Sequence, residues 1–269
     1  MNSVKVLAFV AACAVAGTAQ AATVYQQSGD IFGGQGSTNV TYYNLSTPST
    51  SDTMSGAAGS FKLKSAIDID GNGQIGDGTL GALENFVAFC VTPFTYLSRS
   101  GSTLNGDYTA HQNISGGVKS LSLTQLKKLG ALAKGAWDLI DDNLTNAVAF
   151  QLAAWEIVAE TSPTLNVYLE NSDADKDFYL KSASPAAKAA AEVANLWLSK
   201  LGTEGFELST KGLTLLTVNT NANGQNVTQD LITYVRPADP PAPVPLPGAL
   251  GLLAGGLAAF AAIGRARRA

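Results

Sequence analysis

Residues 143–160 read NLTNAVAFQLAAWEIVAE, a stretch whose apolar residues recur at helical spacing. Drawn as a helix, it has one apolar arc that faces a core, made of Ala147, Val148, Ala154, Trp155, Ile157 and Val158. Glu156 and Glu160 fall outside this arc, and we expect them to face water. Gln151 falls inside it. Because a buried primary amide without partners costs about 1–3 kcal/mol, we expect Gln151 to be hydrogen-bonded or chemically used.

A second helix is predicted just before this stretch, within residues 120–142. Its apolar residues form one stripe, and either Ser122 or Thr124 is a suitable N-cap. The connection to residue 143 is short, so the two helices are expected to form an antiparallel hairpin. A third helix is predicted to begin at Ser184-Pro185, an N-cap followed by proline at the first helical position, and to end at Gly202.

The sequence on both sides of these helices favours strands. Short β-favouring runs alternate with polar turn residues before position 83, and residues 84–97 read as a buried strand that contains Cys90 and is interrupted at Pro93. Residues 107–111 and, near the end of the domain, residues 206–209, 213–219 and 230–235 are further predicted strands. The expected fold class is α+β: a β-rich, sandwich-like or barrel-like domain over residues 22–235, with an inserted helical hairpin and one further helix.

The N-terminus has the features of an export signal. Lys5 precedes the apolar run VLAFVAACAVAG, and Ala19-Gln20-Ala21 forms a small-x-small cleavage site. Residues 1–21 are therefore predicted to be a signal peptide that signal peptidase removes. An alternative reading takes residues 10–13, VAAC, as a lipobox that makes Cys13 a lipidated N-terminus. Both readings predict export.

The C-terminus has the features of a membrane-directed segment. Residues 236–247 form a stiff, proline-rich linker. Residues 248–264 are an unbroken apolar run that would span roughly 26 Å as a transmembrane helix. Residues 265–269 form a basic tail whose Arg265, Arg267 and Arg268 are expected to stay in the cytoplasm and hold the folded domain outside.

The composition argues against two kinds of site, a nucleic-acid-binding surface and a zinc site, and leaves one unusual cysteine. The formal net charge is −4, only 14% of residues are charged, and no basic cluster precedes the last few positions, so nucleic acid is not an expected partner. Removal of residues 1–21 would leave Cys90 as the single cysteine, a thiol that cannot form an intrachain disulfide. His111 is the only histidine, which argues against a zinc site built on histidine and cysteine.

Residues 68–75, DIDGNGQI, match the first two-thirds of a calcium-binding loop. Oxygen-bearing side chains stand at alternate positions, as Asp68, Asp70, Asn72 and Gln74. The twelfth loop position, where a bidentate acid is expected, is Thr79. The segment is therefore read either as a calcium site or as a Gly/Asp turn between two strands, and no other cofactor is predicted.

The C-terminal arrangement resembles the VPLPA-type relative of the PEP-CTERM sorting signal of Gram-negative bacteria. The motif is Val244-Pro245-Leu246-Pro247-Gly248, followed by the apolar helix and the arginine-rich end, with Gly248 in place of the usual Ala. The resemblance implies an exosortase-like processing enzyme as a partner, which would cut near the motif. The alternative is a permanent transmembrane anchor. Either would place the protein at the cell surface.

Phe89-Cys90-Val91 and residues 151–157, QLAAWEI, together resemble bacterial thioester domains. In that family a strand Cys and a helix Gln cross-link: the thiol displaces ammonia from the Gln side chain and leaves an acyl group on sulfur. The resemblance implies that Cys90 and Gln151 form the thioester and that Phe150 and Trp155 support it on the helix. Two positions depart from the family pattern: Thr92 stands where many members carry an acid, and Phe150 stands where Thr is common.

Three functions follow from these features. The first is an exported, surface-anchored adhesin or matrix protein whose Cys90–Gln151 thioester captures amines or hydroxyls on a target surface, without turnover and so without enzymatic activity. The second is a structural or binding domain for biofilm or envelope assembly with no covalent chemistry. The third is a cysteine hydrolase or transglutaminase with Cys90 as nucleophile and His111 as base.

Overall fold

The computed structural model describes residues 19–26, 32, 37–44, 53–65, 68, 83–93, 95, 97, 99–100, 103–104, 108–141, 143–169, 178–182, 184–218 and 228–237. In chain order, the strands are β1 (Ala19–Ala22), β2 (Val24–Gln26), β3 (Thr38–Asn44), β4 (Thr53–Ala58), β5 (Phe61–Ser65), β6 (Glu84–Cys90), β7 (Arg99–Ser100), β8 (Thr103–Leu104), β9 (Tyr108–His111), β10 (Tyr168–Leu169), β11 (Phe178–Ser182), β12 (Leu213–Val218) and β13 (Leu231–Tyr234). The helices are α1 (Leu123–Ala136), α2 (Leu144–Ala159) and α3 (Pro185–Leu198), with a short 3₁₀ helix (Trp137–Leu139) after α1.

The strands form two sheets. Within the described residues, the larger sheet has nine strands in the order β1-β9-β12-β13-β6-β5-β2-β8-β7, and every neighbouring pair is antiparallel. The smaller sheet has the order β10-β11-β3-β4, in which only β10 and β11 pair in parallel. Helices and a mainly antiparallel sheet occur in one unit, so the α+β class is confirmed.

The helix boundaries follow local sequence signals. Ser122 and Gln125 form a reciprocal capping box at the start of α1, and the side chain of Asn143 accepts a hydrogen bond from the main-chain N–H of Asn146 at the start of α2. Ser184 caps α3, with Pro185 as its first residue, as predicted. Gly202 follows α3 with φ +88°, a conformation that glycine adopts without strain.

Helix α2 is enclosed by the rest of the domain. It contacts β6 of the larger sheet, β4 and β11 of the smaller sheet, and both other helices. All its residues from Ala147 to Ile157 are buried. A helix that is apolar all round belongs in a core rather than on a surface, and α2 fits that rule.

The prediction that Glu156 and Glu160 face water is therefore wrong. Glu156 is 0% exposed and Glu160 is 7% exposed, because residues 160–167 and α3 cover that side of α2. Glu156 Oε1 accepts a hydrogen bond from the main-chain N–H of Asn166 at 2.7 Å, and Glu160 Oε1 accepts one from Ser162 at 2.7 Å. These contacts hold the chain that leaves α2 against the helix.

Two strand predictions also need correction. The strand predicted over residues 84–97 ends at Cys90, before Pro93. Residues 206–209 form no strand, because this segment packs across α1 instead. A Cβ atom at Gly130 would lie 1.9 Å from the carbonyl oxygen of Ser209, and one at Gly135 would lie 2.4 Å from the ring of Phe206, so the two glycines make room for the segment.

The compact unit that contains both sheets extends to Arg236. Ala19, Gln20 and Ala21, the last residues of the predicted signal peptide, lie in β1 and pair with β9. In the part of the chain that the structure describes, no helix is long and apolar enough to cross a membrane. The predicted transmembrane helix at 248–264, the sorting motif at 244–248 and the basic tail at 265–269 lie outside the described residues.

Candidate functional site

The carboxamide of Gln151 lies against the main chain of Cys90. Gln151 Oε1 accepts a hydrogen bond from the Cys90 N–H at 3.0 Å, and Gln151 Nε2 donates one to the Cys90 carbonyl at 2.7 Å. Each residue is only 1% exposed. The two residues that the sequence singled out, 61 positions apart, are thus in direct contact in the core.

The end of a neighbouring strand creates the position that Gln151 occupies. The ladder between β5 and β6 runs from Ser65–Glu84 to Phe61–Ala88 and stops two residues before Cys90. On the other side, β13 continues, with Leu231 opposite Cys90 and the Val91 N–H donating to the Asp230 carbonyl at 2.9 Å. The Gln151 side chain takes the place of the missing β5 residue and satisfies both main-chain groups of Cys90.

Aromatic packing fixes this contact. The ring of Phe150, the residue before Gln151, lies 4.4 Å from the ring of Phe89, the residue before Cys90, measured between centroids. Trp137 contacts both rings edge-on, at 5.7 Å and 5.4 Å. Consecutive residues on α2 therefore dock on consecutive residues of β6, and buried aromatic pairs of this geometry add about 0.5–1.5 kcal/mol beyond their buried area. Phe150 thus packs beside Gln151 and Cys90, and its supporting role in a thioester stays a prediction.

The Cys90 thiol is buried among hydrogen-bond donors. The main-chain N–H of Thr92 donates to Sγ at 3.3 Å, and the Thr92 hydroxyl oxygen lies 4.0 Å from Sγ. The Trp155 side chain also lies beside the sulfur, one helical turn from Gln151. Burial raises the pKa of the thiol to about 12, and the contacts with Thr92 and Trp155 oppose that rise. At neutral pH a free Cys90 is therefore protonated and shielded from solvent.

A second polar group adjoins the thiol, at the start of β13. Thr228, Gln229 and Asp230 are all buried. The Asp230 N–H donates to the Thr92 hydroxyl at 2.9 Å, and the Asp230 carboxylate accepts from Lys119 Nζ at 2.9 and 3.0 Å and from the Val218 N–H at 2.8 Å. The negative charge of Asp230 adds to the rise in the pKa of Cys90.

The sequence pattern around these residues does not predict this group. Thr92 is 138 positions from Asp230, and Lys119 is 111 positions from it, so local patterns carry no sign of the contacts. The one local signal is that a polar run, TQD at 228–230, directly precedes the apolar run LITY of β13. Tyr108 joins the group: its hydroxyl donates to the Gln229 carbonyl at 3.1 Å, and burial raises the pKa of that hydroxyl.

His111 lies far from Cys90. Strand pairing places Cys90, Leu231, Leu216 and Ala110 in one row across four strands, so Ala110 is roughly 14 Å from Cys90, which is three strand spacings. His111 follows Ala110 and its side chain points to the other face of the sheet. Its Nε2 lies 2.9 Å from the Thr217 hydroxyl. A cysteine nucleophile and its base must be within hydrogen-bond reach, and this pair is not.

The predicted calcium ligands fall mostly outside the described residues. Asp70, Asn72 and Gln74 are among the residues that are not described. Asp68 is described, and its main-chain carbonyl accepts a hydrogen bond from Gln112 Nε2 at 2.7 Å. Among the described residues, no group of three His, Cys, Asp or Glu side chains is close enough to hold a metal ion.

The site holds the Gln151 carboxamide against the main chain of Cys90 in a buried core. The carboxamide carbon of Gln151 is one C=O bond, about 1.23 Å, from an oxygen that contacts the Cys90 N–H. No protein-family model, curated protein or solved structure matches the chain.

Proposed function

We propose that this protein is an exported, surface-anchored adhesin or matrix protein that uses an internal thioester between Cys90 and Gln151 to capture nucleophiles on a target surface. One observation carries the proposal: two hydrogen bonds hold the Gln151 carboxamide against Cys90. The proposal requires Sγ to approach the Gln151 carbon to about 3–3.5 Å, where effective molarities reach about 10⁵–10⁸ M and an amide, normally inert to thiols, becomes accessible to the reaction.

In the forming reaction, Sγ attacks the carboxamide carbon of Gln151. The bond from that carbon to Nε2 breaks, the thiol proton passes to the leaving nitrogen, and ammonia departs. In the capture reaction, an amine attacks the same carbon, the carbon–sulfur bond breaks, and a proton from the amine ends on Sγ. The captured amine is then joined to the Gln151 side chain by an amide bond, and Cys90 is again a thiol.

Burial and the single cysteine both support this role. Water is excluded from a pair in which each residue is 1% exposed, so a thioester there is protected from hydrolysis until a nucleophile is brought to it. Consumption of the thiol also accounts for a lone cysteine in an exported protein, where a free thiol is otherwise open to oxidation.

The ends of the chain supply the cell-surface part of the proposal. The predicted signal peptide at 1–21 would be removed by signal peptidase, and the motif at 244–248 would be recognised by an exosortase-like enzyme. The segment at 248–264 would anchor the protein in the membrane at least transiently. The unknown target would lie on another surface or in the extracellular matrix. We also propose that the two sheets act as the walls of a sandwich-like domain, since α2 contacts both.

The proposal is tested by amine capture. The purified full chain is incubated with methylamine, and the peptide that contains residue 151 is analysed by mass spectrometry. We expect methylamine to replace ammonia on Gln151, with Cys90 becoming alkylatable in the same samples. Unmodified Gln151 together with an alkylatable Cys90 before any treatment would contradict the proposal.

Cys90→Ala is the matched control. Gln151 bonds to the main chain of residue 90, so this variant keeps both hydrogen bonds and removes only the nucleophile. It should take up no methylamine. Gln112, whose side chain also donates to a main-chain carbonyl, serves as an internal control and should stay unmodified in every sample.

A second candidate function is a structural or binding domain without covalent chemistry. It is favoured by the same hydrogen bonds, because in the unreacted state they already satisfy the open main-chain groups of Cys90. If Gln151 has only this structural role, the wild type and Cys90→Ala will behave alike in the capture experiment.

A further inference from the structure

We infer that Thr92 is a catalytic residue of the thioester reaction, in which its main-chain N–H and its hydroxyl stabilise negative charge on the Cys90 sulfur. The inference rests on the proposed function, since it assigns a residue to that reaction. It is independent of the resemblance, which gives Thr92 only as a departure from the family pattern.

Thr92 offers two donors to the reacting atom. Its N–H points at Sγ at 3.3 Å, and its hydroxyl oxygen lies 4.0 Å from Sγ, at the outer limit for a hydrogen bond to sulfur. Both donors come from one residue in the turn after β6, whose main chain is continuous with that of Cys90. They therefore keep their position relative to the sulfur whether or not α2 moves.

The hydroxyl is oriented by a third residue. Its oxygen accepts the Asp230 N–H at 2.9 Å, which leaves the hydroxyl proton available for the sulfur. Asp230 is itself fixed, since its carboxylate binds Lys119 Nζ and the Val218 N–H. Asp230 and Lys119 are thus positioning residues that act through Thr92.

The chemistry needs such donors at the sulfur. When an amine attacks the thioester carbon, the carbon–sulfur bond breaks and its electron pair goes to Sγ before the proton arrives from the amine. In this buried position the thiolate is costly to form, and the carboxylate of Asp230 adds to the cost. The charged or titratable groups that face the thiol are Asp230, with its partner Lys119, and Tyr108, whose own pKa is raised by burial. None of these donates a hydrogen bond to the sulfur, whereas Thr92 does.

The test compares Thr92→Val, which removes the hydroxyl and keeps the branched shape, with Thr92→Ser, which keeps the hydroxyl. The full chain of each variant is treated with methylamine, and the rate of capture at Gln151 is followed by mass spectrometry. Loss of one hydrogen bond to a charged leaving group should slow capture roughly tenfold in Thr92→Val. Thr92→Ser should react within about threefold of the wild type, since it retains the same donor.

A second readout does not depend on the thioester. Cys90 is freed by methylamine, or is already free if no thioester forms, and its rate of alkylation by iodoacetamide is measured against pH. The pKa of the Cys90 thiol should be higher in Thr92→Val than in wild type. In Thr92→Ser it should be close to the wild-type value. If Thr92 has a purely structural role, Thr92→Val will change the amount of folded protein, which circular dichroism measures. It will not change the pH dependence of alkylation.

The outcomes separate the two claims. If wild type shows no thioester, the proposed function fails and the catalytic role of Thr92 fails with it, whatever the pH profile shows. If wild type captures methylamine and Thr92→Val captures it equally fast with an unchanged thiol pKa, the proposed function stands and the role of Thr92 is overturned. Slower capture in Thr92→Val, with rescue in Thr92→Ser, supports both.

Discussion

Helix α2 buries two polar side chains, Gln151 and Glu156, and they have different consequences. Gln151 is 1% exposed and binds the main chain of Cys90, while Glu156 is 0% exposed and binds the main-chain N–H of Asn166. Both complete the hydrogen bonding of a segment from another part of the chain. Only Gln151 binds the main chain of a residue with a nucleophilic side chain, Cys90.

The comparison separates burial from reactivity. A buried polar group must be hydrogen-bonded. Main-chain N–H and C=O groups that lose their partners where a strand or helix ends are common partners for it. That requirement accounts for the bond between Glu156 and Asn166 and for the two bonds of Gln151. It does not explain why Gln151 binds a residue with a thiol, or why Thr92 donates to that thiol. The thioester proposal explains these two features.

The largest expected effect on stability comes from Gln151→Ala, made in the Cys90→Ala background, where no thioester forms and both hydrogen bonds remain. It would leave the N–H and the carbonyl of residue 90 without partners in the core and create a cavity, so the free energy of unfolding should fall by about 3 kcal/mol. Urea denaturation measures this. A loss below about 1 kcal/mol would mean that the two hydrogen bonds do not hold α2 against β6.

Glu156→Ala is expected to lower the free energy of unfolding by about 2 kcal/mol, since it removes one acceptor from a fully buried site. Glu156→Gln keeps an acceptor for the Asn166 N–H and should restore most of the loss. Neither variant should change methylamine capture at Gln151. If Glu156→Gln abolished capture while remaining folded, Glu156 would also take part in the reaction, and its purely structural role would be contradicted.

The third prediction concerns alkaline pH and a free Cys90 thiol. The folded-state pKa of about 12 lies above the ordinary value of 9.0, so the folded state retains a proton that the unfolded state loses, and stability falls as pH rises above 9. Between about pH 8 and about pH 10, Gln151→Ala, in which the thiol is free, should lose about 1 kcal/mol more than Gln151→Ala with Cys90→Ala. Urea denaturation at the two pH values gives the difference. Equal losses in the two variants would show that the thiol is not buried in solution.

The smallest effect is expected at His111. Burial lowers the pKa of its ring, so the unfolded state takes up a proton first, and stability is complete above about pH 6.5 and declines as pH falls below that value. The loss from about pH 7 to about pH 5 should be well under 1 kcal/mol because the ring is partly exposed. His111→Gln, which can still bond to Thr217, should lose less over that range. Neither pH nor this substitution should alter capture in the way expected of a catalytic base.

Much of the architecture follows from local pattern. The predicted stretch 143–160 matches α2 closely, the caps at Ser122 and Ser184 are used, and Cys90 lies in the predicted strand. Gln151 stands out in the sequence because it is polar on an apolar arc. Its contact with Cys90 could be anticipated because each is the unusual residue in its own apolar segment.

The remainder depends on long-range packing. The apolar periodicity of residues 143–160 predicts that one side of the helix faces water. Residues 160–167 and α3 cover that side, so Glu156 is buried there. Residues 206–209 have β propensity, but the space that Gly130 and Gly135 leave on α1 overrides it. Asp230 reaches Thr92 because β13 pairs with β6, and Lys119 joins them by bonding to Asp230 and to the Val218 carbonyl of β12.

The most direct test of the central claim is the mass of the protein before any treatment. The full chain is denatured without reductant, digested and searched for one peptide in which Cys90 and Gln151 are joined, with a mass lower than the sum of its parts by one ammonia. We predict this cross-linked peptide in the wild type and its absence in Cys90→Ala. Glu at position 151 in the wild type, with Gln retained in Cys90→Ala, would indicate a thioester that had formed and been hydrolysed. A free Cys90 with an intact Gln151 in the wild type would contradict the account.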